Sequence, residues 1–253
     1  MLKPLNSEEL ARMREACKVA ATVLDRTANA VEVGMTTYDI DMIAKKTMQD
    51  LGCESPAHGY FNGDSAFPGW ICVSVNDVVI HGIGDMKTTI KPGDIVSLDV
   101  VTTYKGMVGD NTRTILIEPV PEDVRKLSEV TRQALYAGID AARVGNRVSD
   151  ISHAIESYIK PFGYGIVREY TGHGVGRTMH DEPQIPNYGK PHKGEKLKAG
   201  VTLAIEPMIC MGTHKIRHAA DGWTVHTADG KPAAHWEHTI LVTDDEPEIL
   251  TKL

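Results

Sequence analysis

Acidic residues interrupt segments that the sequence otherwise predicts as buried β-strands, and this feature limits how the chain can fold. Asp99 has a leucine before it and valines after it. Glu206 interrupts the apolar run Thr202–Met208, and Glu237 lies within the β-rich run Trp236–Val242. Buried carboxylates are rare unless they are paired or bind a metal. We therefore expect cations beside these residues, with an exposed edge-strand position as the alternative for Glu237 alone.

A fourth acidic residue lies on a strand predicted to neighbour that of Asp99. The segments 95–103 and 107–117 are predicted as two strands joined by a tight turn. If the turn centres near Tyr104–Lys105, Asp99 and Asp110 lie directly opposite each other. A turn one residue later makes them diagonal neighbours on the same face. Like charges so placed are destabilising unless a cation lies between them. Two solvated aspartates on an outer face are the alternative.

Glycines surround a histidine in the segment Gly172–Gly176, and His180 follows it. Glycine lets the backbone approach a bound group closely. One alternative is a structural histidine in a glycine turn. Another is a dinucleotide-binding loop, but that loop requires a helix immediately after it, which Pro183 and Pro186 disfavour.

The four acids and His173 together form a set of hard donors. Such an oxygen-rich set is typical of Mn, Fe or Co sites, whereas structural zinc sites are rich in thiolates. Five protein ligands are enough for two divalent ions about 3.5–4 Å apart, the separation found in two-metal hydrolases. The candidate ligands are Asp99, Asp110, His173, Glu206 and Glu237.

The remaining sequence predicts an α+β chain in which two helices precede strands, twice. The helical periodicity predicts Leu10–Ala30 after a cap at Ser7. It also predicts helices over 38–51 after a cap at Thr37, from after Pro121 to about Ala142, and from about Ser149 to before Pro161 or Gly163. We further expect a single strand over 201–209 and a long loop over 181–200.

Composition excludes several functional classes for these 253 residues. A net charge of −7 argues against a general binder of nucleic acid or of anionic membranes. No apolar run approaches the roughly 18 residues of a membrane span, and the first residues lack the apolar core of a signal peptide. The four cysteines include no CxxC pair, so we expect reduced thiols in a cytoplasmic protein.

Seven stretches of the sequence together resemble the type I methionine aminopeptidases, from the first helix to the last strand. They are FPGWICVSVNDVVIHGIG, GDIVSLDV, GMVGDNTRTI, YTGHGVGRTMHDEP, TLAIEPM, DGWTVHTADG and WEHTILVT. The resemblance implies the pita-bread fold as a single domain over residues 1–253. In that fold, a curved antiparallel sheet with pseudo-two-fold symmetry carries helices on its outer face.

The same resemblance implies roles for individual residues. It matches the five candidate ligands to the dinuclear metal site of the family, for which Co, Mn, Fe, Zn or Ni are the candidate ions. It matches His81 and His180 to the catalytic histidines that contact substrate. Phe67, Cys72 and Trp223 are expected around the methionine side chain.

The chain departs from the common pattern of the family in two places. The segment GYFNGDSAFPG is longer than the usual loop, so the sequence does not place Tyr60. His235-Trp236 stands where many relatives have Gln-Tyr, and Ala233 replaces the usual serine. These changes can affect the pocket rim or a weak monovalent-cation site, which is expected near Asn76 and Val78.

The function implied is metal-dependent removal of the initiator methionine from nascent polypeptides whose second residue is small. Glu206 is expected to carry the proton from the attacking water to the leaving nitrogen. We expect a monomer that binds no DNA and no membrane, with ribosome association as a further expectation. The alternatives are a proline-specific dipeptidase of the same fold, a non-catalytic pita-bread binding protein, and a dinuclear phosphoesterase.

Overall fold

Four α-helices lie where the sequence predicts them. The structure, a computed structural model, describes residues 2–253. Within this range, no helix is both long enough and apolar enough to cross a membrane. A short 3-10 helix, Lys160–Phe162, follows the last of them. The helices are α1 (Ser7–Asn29), α2 (Thr37–Leu51), α3 (Glu122–Asp140) and α4 (Val148–Ile159).

The caps of the first two helices lie one residue before the expected positions. Asn6, not Ser7, caps α1, because its side chain accepts from the Glu9 amide at 2.9 Å while the Glu9 carboxylate accepts from the Asn6 amide. In the same way Thr36, not Thr37, caps α2. In both helices an acidic residue three positions after the cap closes a capping box, and this reciprocal pairing decides the start.

The strands pair antiparallel in one eight-stranded sheet and two three-stranded sheets. The large sheet has the order β1-β3-β4-β13-β8-β6-β7, with β14 beside β13, and the small sheets are β10-β11-β2 and β12-β9-β5. The bounds are β1 (Cys72–Val75), β2 (Val78–Ile80), β3 (Ile95–Tyr104), β4 (Met107–Leu116), β5 (Gly165–Ile166), β6 (Gly172–Gly174), β7 (Asp181–Ile185), β8 (Thr202–Ile205), β9 (Met208–Cys210), β10 (Ile216–His218), β11 (Val225–Thr227), β12 (Ala233–His235), β13 (Glu237–Leu241) and β14 (Glu248–Ile249).

Each helix pair covers its own hydrophobic core against the strands. Residues of α1 and α2, such as Ile40, pack with Leu98 and Val100 of β3. Residues of α3 and α4 pack with Leu203 of β8 and Ile240 of β13. This confirms the repeated arrangement of two helices and then strands. Because side chains alternate along a strand, a residue between Leu98 and Val100 faces away from the helices.

Two sequence expectations about strands are wrong. Residues 181–185 form β7 rather than part of a loop, since Pro183 and Ile185 are buried while their neighbours are exposed. A strand at the end of a sheet tolerates proline, so the proline there is compatible with pairing. The expected strand 201–209 is two strands, β8 and β9, because Pro207 lacks a backbone donor and interrupts the ladder.

Candidate metal centre and active site

One row of paired residues crosses four strands and carries two of the candidate ligands. Cys72 pairs with Asp99, Asp99 pairs with Thr112, and Thr112 pairs with Glu237. Paired residues project from the same face of a sheet. The Thr112 hydroxyl donates to Glu237 Oε2 at 2.9 Å, so it fixes one oxygen of that carboxylate. Strand register alone therefore places Asp99 and Glu237 on one face, two strands apart.

Asp110 lies on the same face, diagonal to Asp99. The β3–β4 turn is Lys105–Gly106, both with positive φ, and Val101 rather than Asp99 pairs with Asp110. Of the two arrangements that the sequence leaves open, the structure has the diagonal one. A diagonal offset separates the two charges more than direct pairing does and leaves space for a cation between them.

Glu206 occupies the interruption between β8 and β9 and faces Glu237. The ladders on either side of this interruption follow one register, with the observed pairs Ile205–His238 and Met208–His235. The Trp236 amide still donates to the Pro207 carbonyl at 3.5 Å between them. The shared register places Glu206 opposite Glu237, although the two do not form a regular pair with each other.

His173 reaches the cluster from β6, where close backbone packing requires glycine on both sides. A Cβ on Gly172 would overlap the Ala204 carbonyl oxygen, and one on Gly174 would overlap that of Glu182. His173 Nδ1 lies 3.0 Å from the Gly174 carbonyl oxygen, which can only accept, so Nδ1 carries the proton and Nε2 has a free lone pair.

The ligand atoms come close enough to share metal ions. His173 Nε2 lies 3.3 Å from Glu206 Oε1 and 3.9 Å from Asp110 Oδ2. Asp110, His173 and Glu237 each offer a ligand atom, and these atoms lie within 4.8 Å of one another. Glu237 Oε1 is buried and has no hydrogen-bond partner among the described residues. An unpartnered buried carboxylate oxygen in such a cluster fits a divalent ion.

The electrostatics of the cluster also favour a cation. Burial, reinforced by the other carboxylates, raises the pKa values of Asp110, Glu206 and Glu237 well above their ordinary range. Burial also raises the pKa of Asp99. Among the described residues that line the adjoining cavity there is no lysine or arginine to compensate these acids. Burial lowers the pKa of His173 to about 4, which keeps its imidazole neutral and able to bind a metal.

A cavity of about 560 Å³ opens above the carboxylates and contains both predicted catalytic histidines. His81 follows β2 with a left-handed φ of 56°, and its ring packs edge-on against Tyr170 at 5.4 Å. Burial lowers the pKa of His81 to about 4. The exposed His180 lies with its ring edge-on to His173 at 4.6 Å. The structure thus brings His81 and His180 to the cluster of candidate ligands.

The three residues predicted around the substrate side chain form a small apolar cluster on the cavity wall. The rings of Phe67 and Trp223 meet edge-on at 5.2 Å. Cys72 is the member of this cluster that pairs with Asp99, and burial raises the pKa of its thiol well above the ordinary value. A neutral thiol and two aromatic rings make an apolar slot beside the candidate ligands.

Tyr60 and His235 are two of the lining residues that were not predicted as site residues. Tyr60 lies at the rim, with its ring edge-on to those of Trp223 at 6.4 Å and His180 at 5.9 Å. The lengthened loop obscured its position in the sequence. His235 lines the inner wall. Its departure from the family pattern was the signal that could have found it.

Comparison with known proteins decides the family. A profile described as "Metallopeptidase family M24" matches residues 11–244. The chain belongs to this family. Within the M24 family it is 42% identical to "Methionine aminopeptidase" of Clostridium acetobutylicum over 246 residues, 97% of each chain. It is likewise 42% identical to "Methionine aminopeptidase 1" of Bacillus subtilis over 245 residues, again 97% of each.

Similar solved structures confirm the pita-bread fold. The methionine aminopeptidase from Rickettsia prowazekii matches with a TM-score of 0.95 at 38% identity, covering 100% of both chains. A prolidase from Pyrococcus furiosus shares the fold alone, with a TM-score of 0.80, 23% identity and coverage of 65% of that longer chain. Membership of a metallopeptidase family and the ligand cluster together support the use of divalent metal.

Proposed function

We propose that the protein is a metal-dependent aminopeptidase that removes the N-terminal methionine from polypeptides with a small second residue. The observation that carries this proposal is one cavity whose floor is the carboxylate–histidine cluster and whose wall is the apolar slot of Phe67, Cys72 and Trp223. A thioether suits that slot because sulfur makes favourable contacts at the edges of aromatic rings. The methionine aminopeptidases at 42% identity support the same substrate.

The proposed metal site holds two divalent ions. Five protein donors with four carboxylates offset two dications in charge. When bound, such ions polarise the scissile carbonyl and lower the pKa of water towards neutrality. The ions are expected to be drawn from Mn, Fe, Co, Zn and Ni, since one ligand set accepts several of these metals. The proposed ligands are Asp99, Asp110, His173, Glu206 and Glu237.

The proposed catalytic steps use three side chains of the cavity. Glu206 accepts a proton from the attacking water and passes it to the leaving nitrogen, a role that fits a carboxylate lining the cavity. His180, at the open side of the cavity, donates a hydrogen bond to the developing oxyanion. His81 contacts the scissile nitrogen. Both histidines lie beside the cluster without belonging to it.

The proposed partners follow from this substrate. The enzyme acts on the N-termini of nascent chains in the cytoplasm, as one domain and as a monomer, and ribosome association would bring it to them. Strands from both halves of the chain build the large sheet, which supports a single domain. A monovalent-cation site near Asn76 and Val78 stays a prediction.

Peptide cleavage with and without metal tests this function. The metal-depleted protein should not cleave Met-Ala-Ser, and added Mn²⁺ or Co²⁺ should restore cleavage, while Ala-Pro should remain intact. Cleavage of Ala-Pro alone would favour the proline-specific alternative, and no cleavage of either peptide with metal bound would favour a binding protein. A parallel assay with a phosphate monoester would detect phosphoesterase activity.

A further inference from the structure

His235 lies against Glu206 in the inner wall of the cavity and has no part in the steps proposed above. Its side chain is buried, with 2% of the residue exposed. His235 Nε2 lies 3.4 Å from Glu206 Oε2. Nε2 has no hydrogen-bond partner among the described residues. A buried ring nitrogen is thus directed at the carboxylate that is proposed to carry the proton.

Hydroxyl groups hold the main chain of His235 in place. Its amide donates to Thr114 Oγ1 at 3.1 Å and to Ser97 Oγ at 3.3 Å. The Thr114 hydroxyl donates in return to the His235 carbonyl oxygen at 2.6 Å. Ser97 and Thr114 are a cross-strand pair of β3 and β4, so the position of His235 is set by the strands that carry Asp99 and Asp110.

Strand alternation sends the imidazole of His235 towards the cavity. The next residue, Trp236, points the other way, where its indole donates to Ser128 Oγ of α3 at 3.1 Å. His235 and Glu237 therefore share the cavity face, and both line the cavity.

The two oxygens of Glu206 face different imidazoles. Oε1 lies 3.3 Å from His173 Nε2, so a divalent ion would be held by both residues. Oε2 faces His235 on the other side. Catalytic hydrogen bonds are often long before the substrate binds, so 3.4 Å is a contact that can shorten.

We propose that His235 is a positioning residue for Glu206, donating from Nε2–H to Oε2 so that Oε1 is held towards His173. The inference rests on the proposed function in so far as Glu206 carries the proton. Groups that hydrogen-bond to a metal-ligating carboxylate orient it, and their loss costs about 10–100-fold in metal affinity or activity. The glutamine expected at this position from the family resemblance also carries a side-chain donor, so His235→Gln is the conservative variant.

Paired variants of His235 test this role through metal affinity as well as turnover. His235→Leu should weaken Mn²⁺ binding, measured by titration calorimetry on metal-depleted protein, by about 10–100-fold. At saturating Mn²⁺ its kcat on Met-Ala-Ser should fall by about 10–100-fold while KM changes by less than about threefold. His235→Gln should restore both to within about threefold of wild type.

His238→Leu is the matched control. His238 lies on β13, the next strand along the chain, and its Nδ1 contacts Thr251 Oγ1 at 2.9 Å outside the cavity lining. Its loss should leave Mn²⁺ affinity unchanged. Wild-type Mn²⁺ affinity in folded His235→Leu would overturn the proposal. An equal loss of Mn²⁺ affinity in His235→Gln and His235→Leu would overturn it too, because the shape of the ring rather than its donor would then matter.

A further variant covers the case in which His235→Leu does not fold. His235→Asn is polar but too short to reach Glu206, so it should lose Mn²⁺ affinity like the leucine variant, and wild-type affinity would overturn the proposal. The Mn²⁺ titrations also separate this inference from the proposed function. A wild-type enzyme that fails to cleave Met-Ala-Ser would refute the function, while the affinity series would still decide the role of His235.

Discussion

Two strand ladders supply the four carboxylates, and they are built differently. β3 and β4 pair without interruption over ten positions and carry Asp99 and Asp110. The ladder that joins β8 and β9 to β13 and β12 keeps one register but is interrupted at Pro207 and Trp236. Glu206 lies at that interruption.

This difference separates two tasks within one site. In the uninterrupted hairpin ten successive positions pair, so its aspartates are held in position by regular strand pairing and suit the role of ligands. At the interruption, Glu206 lies next to two imidazoles, one on each oxygen. We therefore expect metal binding to depend on both ladders and proton transfer to depend on the interrupted ladder.

Comparing Glu206→Gln with Asp99→Asn tests the difference between the two ladders most directly. Both variants should lose metal affinity, but at saturating Mn²⁺ only Glu206→Gln should abolish turnover, with a fall in kcat of about 10²–10⁴ or more, because it also loses the proton carrier. Metal titration followed by kcat measurement on Met-Ala-Ser checks this. If purified Glu206→Gln kept more than a tenth of the wild-type kcat, Glu206 would not be the base.

His81→Ala should separate catalysis from both ladders. His81 belongs to neither ladder, so metal content measured by mass spectrometry should stay at the wild-type level. The kcat should fall by about 10²–10⁴, the range for loss of a positioned acid–base group. His58→Ala is the control. The His58 ring stacks on the Trp70 ring with a centroid distance of 4.4 Å, and His58 does not line the cavity. Full activity with normal metal content would show that His81 has only a structural role in its turn.

Cys72→Ala should test whether β1, the strand beside the β3–β4 hairpin, contributes to selection of the substrate side chain. Cys72 pairs with Asp99 and borders the apolar slot, so its truncation widens the slot without removing a ligand. The ratio of kcat/KM for Met-Ala-Ser over Leu-Ala-Ser should fall by roughly 10–200-fold, equivalent to about 1–3 kcal/mol. Cys210→Ala, another buried thiol but outside the cavity lining, should leave the ratio unchanged. An unchanged ratio in folded, metal-loaded Cys72→Ala would remove Cys72 from the slot.

Glu237→Gln should show the stability cost of the cluster in metal-free protein. The pKa of Glu237 is raised above its ordinary value of 4.5, so the folded state binds its proton more tightly than the unfolded state does. The charged group is therefore destabilising as the pH rises from 4.5 through the raised pKa. At pH 7 the metal-free variant should melt about 2–4 °C higher per 1 kcal/mol relieved.

The stabilisation from Glu237→Gln should disappear at acid pH, where wild-type Glu237 is also neutral. Mn²⁺ should raise the Tm of wild type more than that of the variant, because the variant lacks one ligand. Calorimetric scans across pH, with and without Mn²⁺, measure both effects. Glu248→Gln is the control, because Glu248 pairs with Arg14 at the exposed surface. A metal-free variant less stable than wild type at pH 7 would contradict the idea of a strained acidic cluster.

The sequence predicted the helices well and the strand boundaries less well. Helical periodicity located all four helices, because the spacing of apolar residues is a local signal. The sequence-based strand predictions missed the break at Pro207 and the strand at 181–185, because pairing partners decide whether a short segment is a strand. The capping boxes of α1 and α2 were readable in the sequence, since Glu9 and Asp39 stand three residues after the true caps.

The donor set of the site was determined by the sequence itself. Acids within strand-forming runs, and a histidine between glycines, indicate a buried cation whatever the fold, because a low-dielectric interior does not hold such charges uncompensated. What only the tertiary structure decided is which atoms face which. The diagonal offset of Asp99 and Asp110 depends on the exact turn, and the contact of His235 with Glu206 joins residues far apart in the chain. Such geometry follows from register between distant strands, a quantity that local sequence patterns do not contain.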